Sequence, residues 1–224
     1  MEKLSVIIVA AGSSRRMGFD KLMAPLLGKP VLQHSMETFL RLDCVERLIL
    51  VSPQERLEKL EIPADLTHKL IRVDGGNERH HSVMQGLQAL PEDAQWVAVH
   101  DGARPLISAE QTLATFEAAR EHRAATSGRR ITDTVKRTND DQKISESVDR
   151  ENLWSMETPQ IFSRTLLDQA YAKITQEALL VTDEVSALEH VGVATYIQPN
   201  HTPNLKVTFP EDIEMASILL QHYR

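Results

Sequence analysis

The stretch "AAGSSRRMGFDK", Ala10 to Lys21, sets Arg15, Arg16 and Lys21 around a glycine turn directly after the apolar run "SVIIV". Two familiar phosphate motifs do not match it. A dinucleotide fingerprint needs a second glycine two residues after the first, but Gly12 is followed by Ser13 and Ser14. A P-loop needs four residues between its glycines and then lysine, whereas Gly12 and Gly18 are separated by five and Phe19 follows. What remains is a turn whose amides can face phosphate oxygens, with enough positive charge to neutralise more than one phosphate. The stretch suits a polyphosphate, and a solvated basic loop is the plainer alternative.

Two further stretches carry unusual residues. In "VHDGARP" the carboxylate of Asp101 follows an apolar run directly, a costly place unless it meets a metal or a cation. A divalent ion such as Mg2+ needs only one or two protein carboxylates when phosphates and water complete its shell. An ion pair with Arg104 is the structural alternative. In "DGGNERHHS", Gly75 and Gly76 let the backbone approach a flat ligand, and Ser82 opens the helix that follows. His80 and His81 suggest no metal site, because neighbours on a helix diverge and no cysteine or carboxylate completes a ligand set.

These stretches need a frame to bring them together. The runs "SVIIVA", "RLILVS", "KLIRV" and "WVAVH" are continuously apolar, as in strands buried on both faces. Between them "PVLQHSMETFLRL" and "RHHSVMQGLQAL" place Leu32, Met36, Phe39 and Leu40, and then Val83, Leu87 and Leu90, at helical spacing. Ser108 with Gln111 three residues on predicts a capped start for the helix "AEQTLATFEAAREH". Strand and helix in alternation predict an α/β fold: a Rossmann-like, mostly parallel sheet with helices on both faces. Ligands of such sheets bind beyond the carboxyl ends of the strands, where the three unusual stretches fall. After about residue 128 the pattern becomes polar, and "TDTVKR" and "ISESVD" flank a turn-forming "TNDDQ". This predicts a protruding β-hairpin arm at about 132–152, within a single domain over 1–224, with a partner subunit as its expected contact. Globular patterning returns with "RTLLDQAYAKI", "TDEVSALEHV", "ATYIQ" and a last helix after "TFPED".

Composition narrows the function. The 224 residues are 42% hydrophobic with a formal charge of -7, so no overall positive field draws a nucleic acid or an anionic membrane. Cys44 is the one cysteine, which leaves no intrachain disulfide, and the first apolar run is too short for a membrane span. A cytoplasmic protein is expected.

Taken in order, "AAGSSRRMG", "DGGNERHHSV", "VHDGARP", "DTVKR", "VDRENLW", "TPQIF", "TDEVSALE" and "NLKVTFPED" resemble the 2-C-methyl-D-erythritol 4-phosphate cytidylyltransferases over nearly the whole chain. The resemblance implies that CTP is a substrate and that Arg16 and Lys21 hold its β and γ phosphates. It implies Asp101 as the ligand that places Mg2+ on the triphosphate. Ala10, Ala11, Gly12, Gly75 and Ser82 would frame the cytidine, and Lys206 would complete the cationic lining. Arg104 and Thr158 would lie at the sugar-phosphate acceptor, while Thr134 and Arg150 would reach it from the arm of a partner in a homodimer. Asp20 departs from the family, which often has proline immediately before the motif lysine. Two rival functions stand beside this one: a cytidylyltransferase acting on another polyol phosphate such as ribitol 5-phosphate, and a noncatalytic nucleotide-binding protein on the same fold.

Overall fold

Strands rich in valine, isoleucine and leucine form the centre of the molecule, in a computed structural model that describes residues 2–12 and 18–223. The first six strands are β1 (Leu4–Val9), β2 (Pro25–Leu26), β3 (Lys29–Pro30), β4 (Val45–Val51), β5 (Leu70–Val73) and β6 (Trp96–Asp101). They are followed by β7 (Ala124–Arg130), β8 (Val135–Thr138), β9 (Ile144–Val148), β10 (Trp154–Ser163) and β11 (Tyr196–Pro199). Seven of them make one sheet in the order β11-β7-β10-β6-β1-β4-β5. β1 lies parallel to both β4 and β6, and β4 is parallel to β5, so these four carboxyl ends share one edge. β10 runs antiparallel to β6 and β7 and gives the sheet its mixed character.

The helices are α1 (Val31–Leu40), α2 (Gln54–Leu57), α3 (Arg79–Gln88), α4 (Ala109–His122), α5 (Arg164–Gln176), α6 (Glu184–Glu189) and α7 (Glu211–Tyr223). Alternate residues of each central strand enter opposite cores, as the two-residue period of a strand requires. Val6, Ile8, Leu48, Leu50 and Ala98 pack with Leu32, Met36, Phe39 and Leu40 of α1 and Phe116 of α4. Ile7, Ile49, Val51, Val97 and Val99 pack instead with Val83 and Leu87 of α3 and Leu167, Ala170 and Ile174 of α5. Helices therefore cover both faces as expected. Cys44 is buried in the first of these cores. Ser108 caps α4 by accepting from the Gln111 amide at 3.0 Å, although the Gln111 side chain turns inward to Ser127 Oγ rather than back to the cap.

The polar stretch after residue 128 is only partly an arm. β8 and β9 pair as the expected antiparallel hairpin, from Val135 opposite Val148 to Thr138 opposite Ile144. The equally polar stretch "WSMETPQ", just past the expected arm, belongs to the interior of the sheet as part of β10. Neither β10 nor β7 shows a continuous apolar run, because buried polar groups replace it and bond one another. Thr126 Oγ1 donates to the Glu157 carbonyl at 3.2 Å, and Asn200 Nδ2 donates to Glu157 Oε2 at 2.8 Å. A buried polar strand is stable only when such partners exist, and periodicity does not reveal them.

Candidate active site at the carboxyl edge of the sheet

Asp101 is the last residue of β6, buried among cations drawn from three parts of the chain. Lys206 Nζ lies 2.5 Å from its Oδ2, Arg79 Nε 3.3 Å from its Oδ1, and Arg104 Nε 3.9 Å from Oδ2. Burial alone would raise the Asp101 carboxyl, but the charges of Arg79 and Lys206, the hydrogen bond from Lys206 and the charge of Arg104 outweigh it. The group is held well below the usual carboxylate range and is ionised at any working pH. Its backbone N–H donates to Thr158 Oγ1 at 3.1 Å, and the same oxygen lies 3.0 Å from His100 Nδ1. The Arg104 carbonyl, 3.3 Å from His100 Nε2, can only accept, so the neutral ring carries its proton on Nε2 and its Nδ1 accepts from the Thr158 hydroxyl. Burial pushes His100 down to about 3, so it supports the end of β6 as a neutral ring.

Arg79 begins α3 and links Asp101 to a second buried anion. Its Nη1 and Nη2 meet Glu184 Oε1 and Oε2 at 2.7 and 3.0 Å, a bidentate pair, and Tyr171 donates to Glu184 Oε1 at 2.9 Å. Burial opposes the Arg79 charge, yet Glu184 and Asp101 together raise its pKa further. Gln160 fixes the start of α6, accepting from the amides of Glu184 and Val185 at 3.1 and 3.2 Å. Neither Arg79 nor Glu184 stands in a recognisable spacing, though Arg79 lies inside "DGGNERHHS" and Glu184 inside "TDEVSALE".

Lys206 reaches Asp101 from a segment without regular structure, and side-chain bonds hold that segment in place. Asn204 Nδ2 donates to the Thr158 carbonyl at 2.9 Å, Arg104 Nη1 donates to the Asn204 carbonyl at 2.7 Å, and the Val207 amide donates to Ala103 at 2.8 Å. Lys21 joins the same place, its Nζ donating to the Val207 carbonyl at 2.7 Å. On the other side the stretch after β1 touches the stretch after β5. A Cβ on Gly75 would lie 2.1 Å from Ala11 Cβ, so only glycine allows this approach, and the neighbouring Gly76 amide donates to Ser82 Oγ at 3.1 Å. The His80 and His81 rings do not diverge as expected, since their centroids are 4.1 Å apart in the first turn of α3. Among the described residues no group of three or more His, Cys, Asp or Glu could hold a metal ion. Asp101 alone suits only an ion that brings most of its own ligands, as Mg2+ on a triphosphate does.

A profile of the family described as IspD, 2-C-methyl-D-erythritol 4-phosphate cytidylyltransferase, matches residues 4–222. The chain belongs to this family. A relative of that name from Alkaliphilus oremlandii is 36% identical, over 100% of this chain and 98% of its own. Another of the same name, from Caldanaerobacter subterraneus subsp. tengcongensis, is 34% identical over 97% of this chain and 99% of its own. The crystal structure of Francisella tularensis 2-C-methyl-D-erythritol 4-phosphate cytidylyltransferase superposes with a TM-score of 0.85 at 27% identity, covering 97% of this chain and 100% of that one. That of 4-diphosphocytidyl-2C-methyl-D-erythritol synthase from Anaerococcus prevotii gives 0.84 at 29% identity, covering 98% and 96%.

For this IspD family member, the residues expected at the site fall into three groups. Ala10, Ala11, Gly12, Lys21, Gly75, Ser82, Asp101, Arg104, Thr158 and Lys206 stand at or beside the carboxyl ends of β1, β5 and β6. Arg16 lies outside the described residues. Thr134 and Arg150 stand exposed at the base of the hairpin, where Arg150 Nη1 donates to the Thr132 carbonyl, and neither bonds to the Asp101 cluster. Thr158 hydroxyl bonds under Asp101, and the Arg104 Nη atoms bond the Asn204 and Met156 carbonyls. No helix among the described residues is long and apolar enough to cross a membrane.

Proposed function

We propose that the chain transfers a cytidylyl group from CTP to 2-C-methyl-D-erythritol 4-phosphate, giving 4-diphosphocytidyl-2-C-methyl-D-erythritol and pyrophosphate. The observation that carries this reading, beside family membership, is the gathering of four cations against two carboxylates at the edge of the sheet where ligands bind: Arg79, Arg104 and Lys206 on Asp101, Arg79 also on Glu184, and Lys21 held beside them by the Val207 carbonyl. That surplus of positive charge suits a triphosphate and a leaving pyrophosphate. Lys21, with Arg16, holds the β and γ phosphates. Ala10, Ala11, Gly12, Gly75 and Ser82 frame the cytidine. Lys206, now on Asp101, lies where it can meet a phosphate oxygen, and Asp101 would be the residue that holds Mg2+ carried by the nucleotide. When bound there, Mg2+ neutralises charge on the phosphates.

The acceptor already carries its nucleophile. A phosphate monoester is largely dianionic at neutral pH, so one of its oxygens attacks the α phosphorus in line and no general base is needed. The chain's part is to position two anions against each other and to stabilise the charge that builds on the leaving side. Arg104 and Thr158 line the acceptor side. Thr134 and Arg150 complete the acceptor site of a neighbouring subunit, which makes the working unit a homodimer, located in the cytoplasm where CTP is at hand.

Pyrophosphate release tests the choice of acceptor. With CTP and Mg2+, 2-C-methyl-D-erythritol 4-phosphate is expected to give turnover at least about a hundredfold faster than ribitol 5-phosphate, the selectivity that a few buried polar contacts provide. Turnover with ribitol 5-phosphate alone would transfer the assignment to that rival.

A further inference from the structure

Arg56 belongs to none of the motifs, yet it is 8% exposed and its side chain makes four hydrogen bonds, all to the segment that carries the proposed phosphate-binding residues. Nε donates to Asp20 Oδ2 at 2.7 Å, and Nη2 donates both to Asp20 Oδ1 at 3.1 Å and to the Gly12 carbonyl at 2.9 Å. Nη1 donates to the Ala10 carbonyl. One planar guanidinium thus joins the exit of β1 to the residue immediately before Lys21. Asp20 Oδ1 also accepts from the Leu22 amide at 3.2 Å, fixing the backbone on the far side of Lys21.

We infer that Arg56 and Asp20 form a clasp that positions the nucleotide loop and Lys21 for cytidylyl transfer, an inference that rests on the function proposed above. Three physical points support it. The peptide is planar and trans, so an Ala10 carbonyl turned to Arg56 turns the Ala11 N–H away from it, leaving that amide for a ligand. Only arginine carries donors in a fixed fork wide enough for a carboxylate and two carbonyls at once; lysine can serve one or two of them. The clasp also accounts for Asp20 standing where the family often has proline. A proline ring stiffens the chain covalently, and here an ion pair with a buried partner holds the same position. Arg56 is a positioning residue, since its bonds go to the loop rather than to the nucleotide.

Calorimetric CTP binding and steady-state transfer, run on the full chain and on three variants, test the clasp. Losing one or two charge-assisted bonds is expected to weaken CTP binding about tenfold in Arg56→Lys, with a similar fall in kcat and an unchanged KM for the acceptor phosphate. Asp20→Asn should lose about threefold to tenfold, and the double variant should be no worse than Arg56→Lys, because both break one device. Thermal melts check folding, and if Arg56→Lys proves unfolded, Asp20→Asn carries the test, since that side chain is 37% exposed. Wild-type CTP affinity and kcat in both single variants, or losses that multiply in the double, would overturn the clasp. CTP binding by the unaltered chain without transfer would overturn the acceptor reading alone, while CTP affinities in the variants still decide the clasp. No CTP binding by the unaltered chain would remove both.

Discussion

Lys21→Ala is expected to lower the rate of cytidylyl transfer about a hundredfold to a thousandfold while weakening CTP binding by about tenfold or less. The asymmetry follows from where the lysine stands. Its Nζ is held at 2.7 Å from the Val207 carbonyl, and Val207 is itself tied to Ala103 just past the end of β6. The cation is therefore in place before any substrate arrives, and a charge fixed in advance acts most strongly where new negative charge develops. In the ground state the triphosphate has other cations to meet, Lys206 and Arg79 among them, so binding suffers less. Once the bond to the α phosphorus breaks, the departing pyrophosphate needs the charge that Lys21 supplies. Single-turnover rates set against calorimetric affinity separate the two effects. Equal losses in both would mean that Lys21 serves nucleotide binding alone, and no transfer by the unaltered chain would favour a noncatalytic nucleotide-binding protein.

The second large effect falls on stability. Glu184 is fully buried, and its carboxylate meets both Nη atoms of Arg79 and the Tyr171 hydroxyl. Glu184→Ala leaves Arg79 with Asp101 as its one anionic partner, at 3.3 Å, and leaves the Tyr171 hydroxyl without its acceptor. Breaking a buried pair from one side costs about 3–5 kcal/mol. For a chain of 224 residues that corresponds to a melting temperature lower by about 10 °C. Glu189→Ala, at the exposed last residue of α6, should stay within about 0.5 kcal/mol of the unaltered chain. Melts of the two variants side by side check this, and equal shifts would mean that the Arg79–Glu184 pair holds nothing in place. Glu184→Gln keeps an acceptor for Tyr171 but loses the charge facing Arg79, so it should fall between them.

Much of this arrangement is legible before the fold is seen, and the reason differs from element to element. β1, β4 and β6 announce themselves because residues such as Ile7, Ile49 and Val97 enter one core while Val6, Leu48 and Ala98 enter the other, which forces an unbroken apolar run. The hairpin of β8 and β9 follows from its turn residues. β7 and β10 escape because Thr126, Ser127, Glu157, Thr158 and Gln160 are polar yet buried, and what makes them tolerable is a set of long-range bonds that local pattern does not encode.

The site divides in the same way. Asp101, Gly75 and Lys21 stand out through residue type beside a strand end. Arg79 and Glu184 acquire their meaning only when α3 meets α6, 105 residues apart in the chain. Thr158 stands beside Asp101, where its hydroxyl supports the end of β6 from beneath. Asp20 looks like a misplaced negative charge until Arg56 is seen against it, 36 residues away. Spacing shows which groups are able to do chemistry, and contact shows which groups hold them still.

The route of the oxygen atoms tests the central claim most directly. The acceptor phosphate is prepared with 18O in its nonbridging positions, a single turnover is run with unlabelled CTP and Mg2+, and both products are weighed by mass spectrometry. Attack of an acceptor phosphate oxygen on the α phosphorus predicts that every labelled oxygen is retained in the cytidine diphosphate product and that the pyrophosphate carries none. Label in the pyrophosphate, or loss of label from the diphosphate product, would contradict the account.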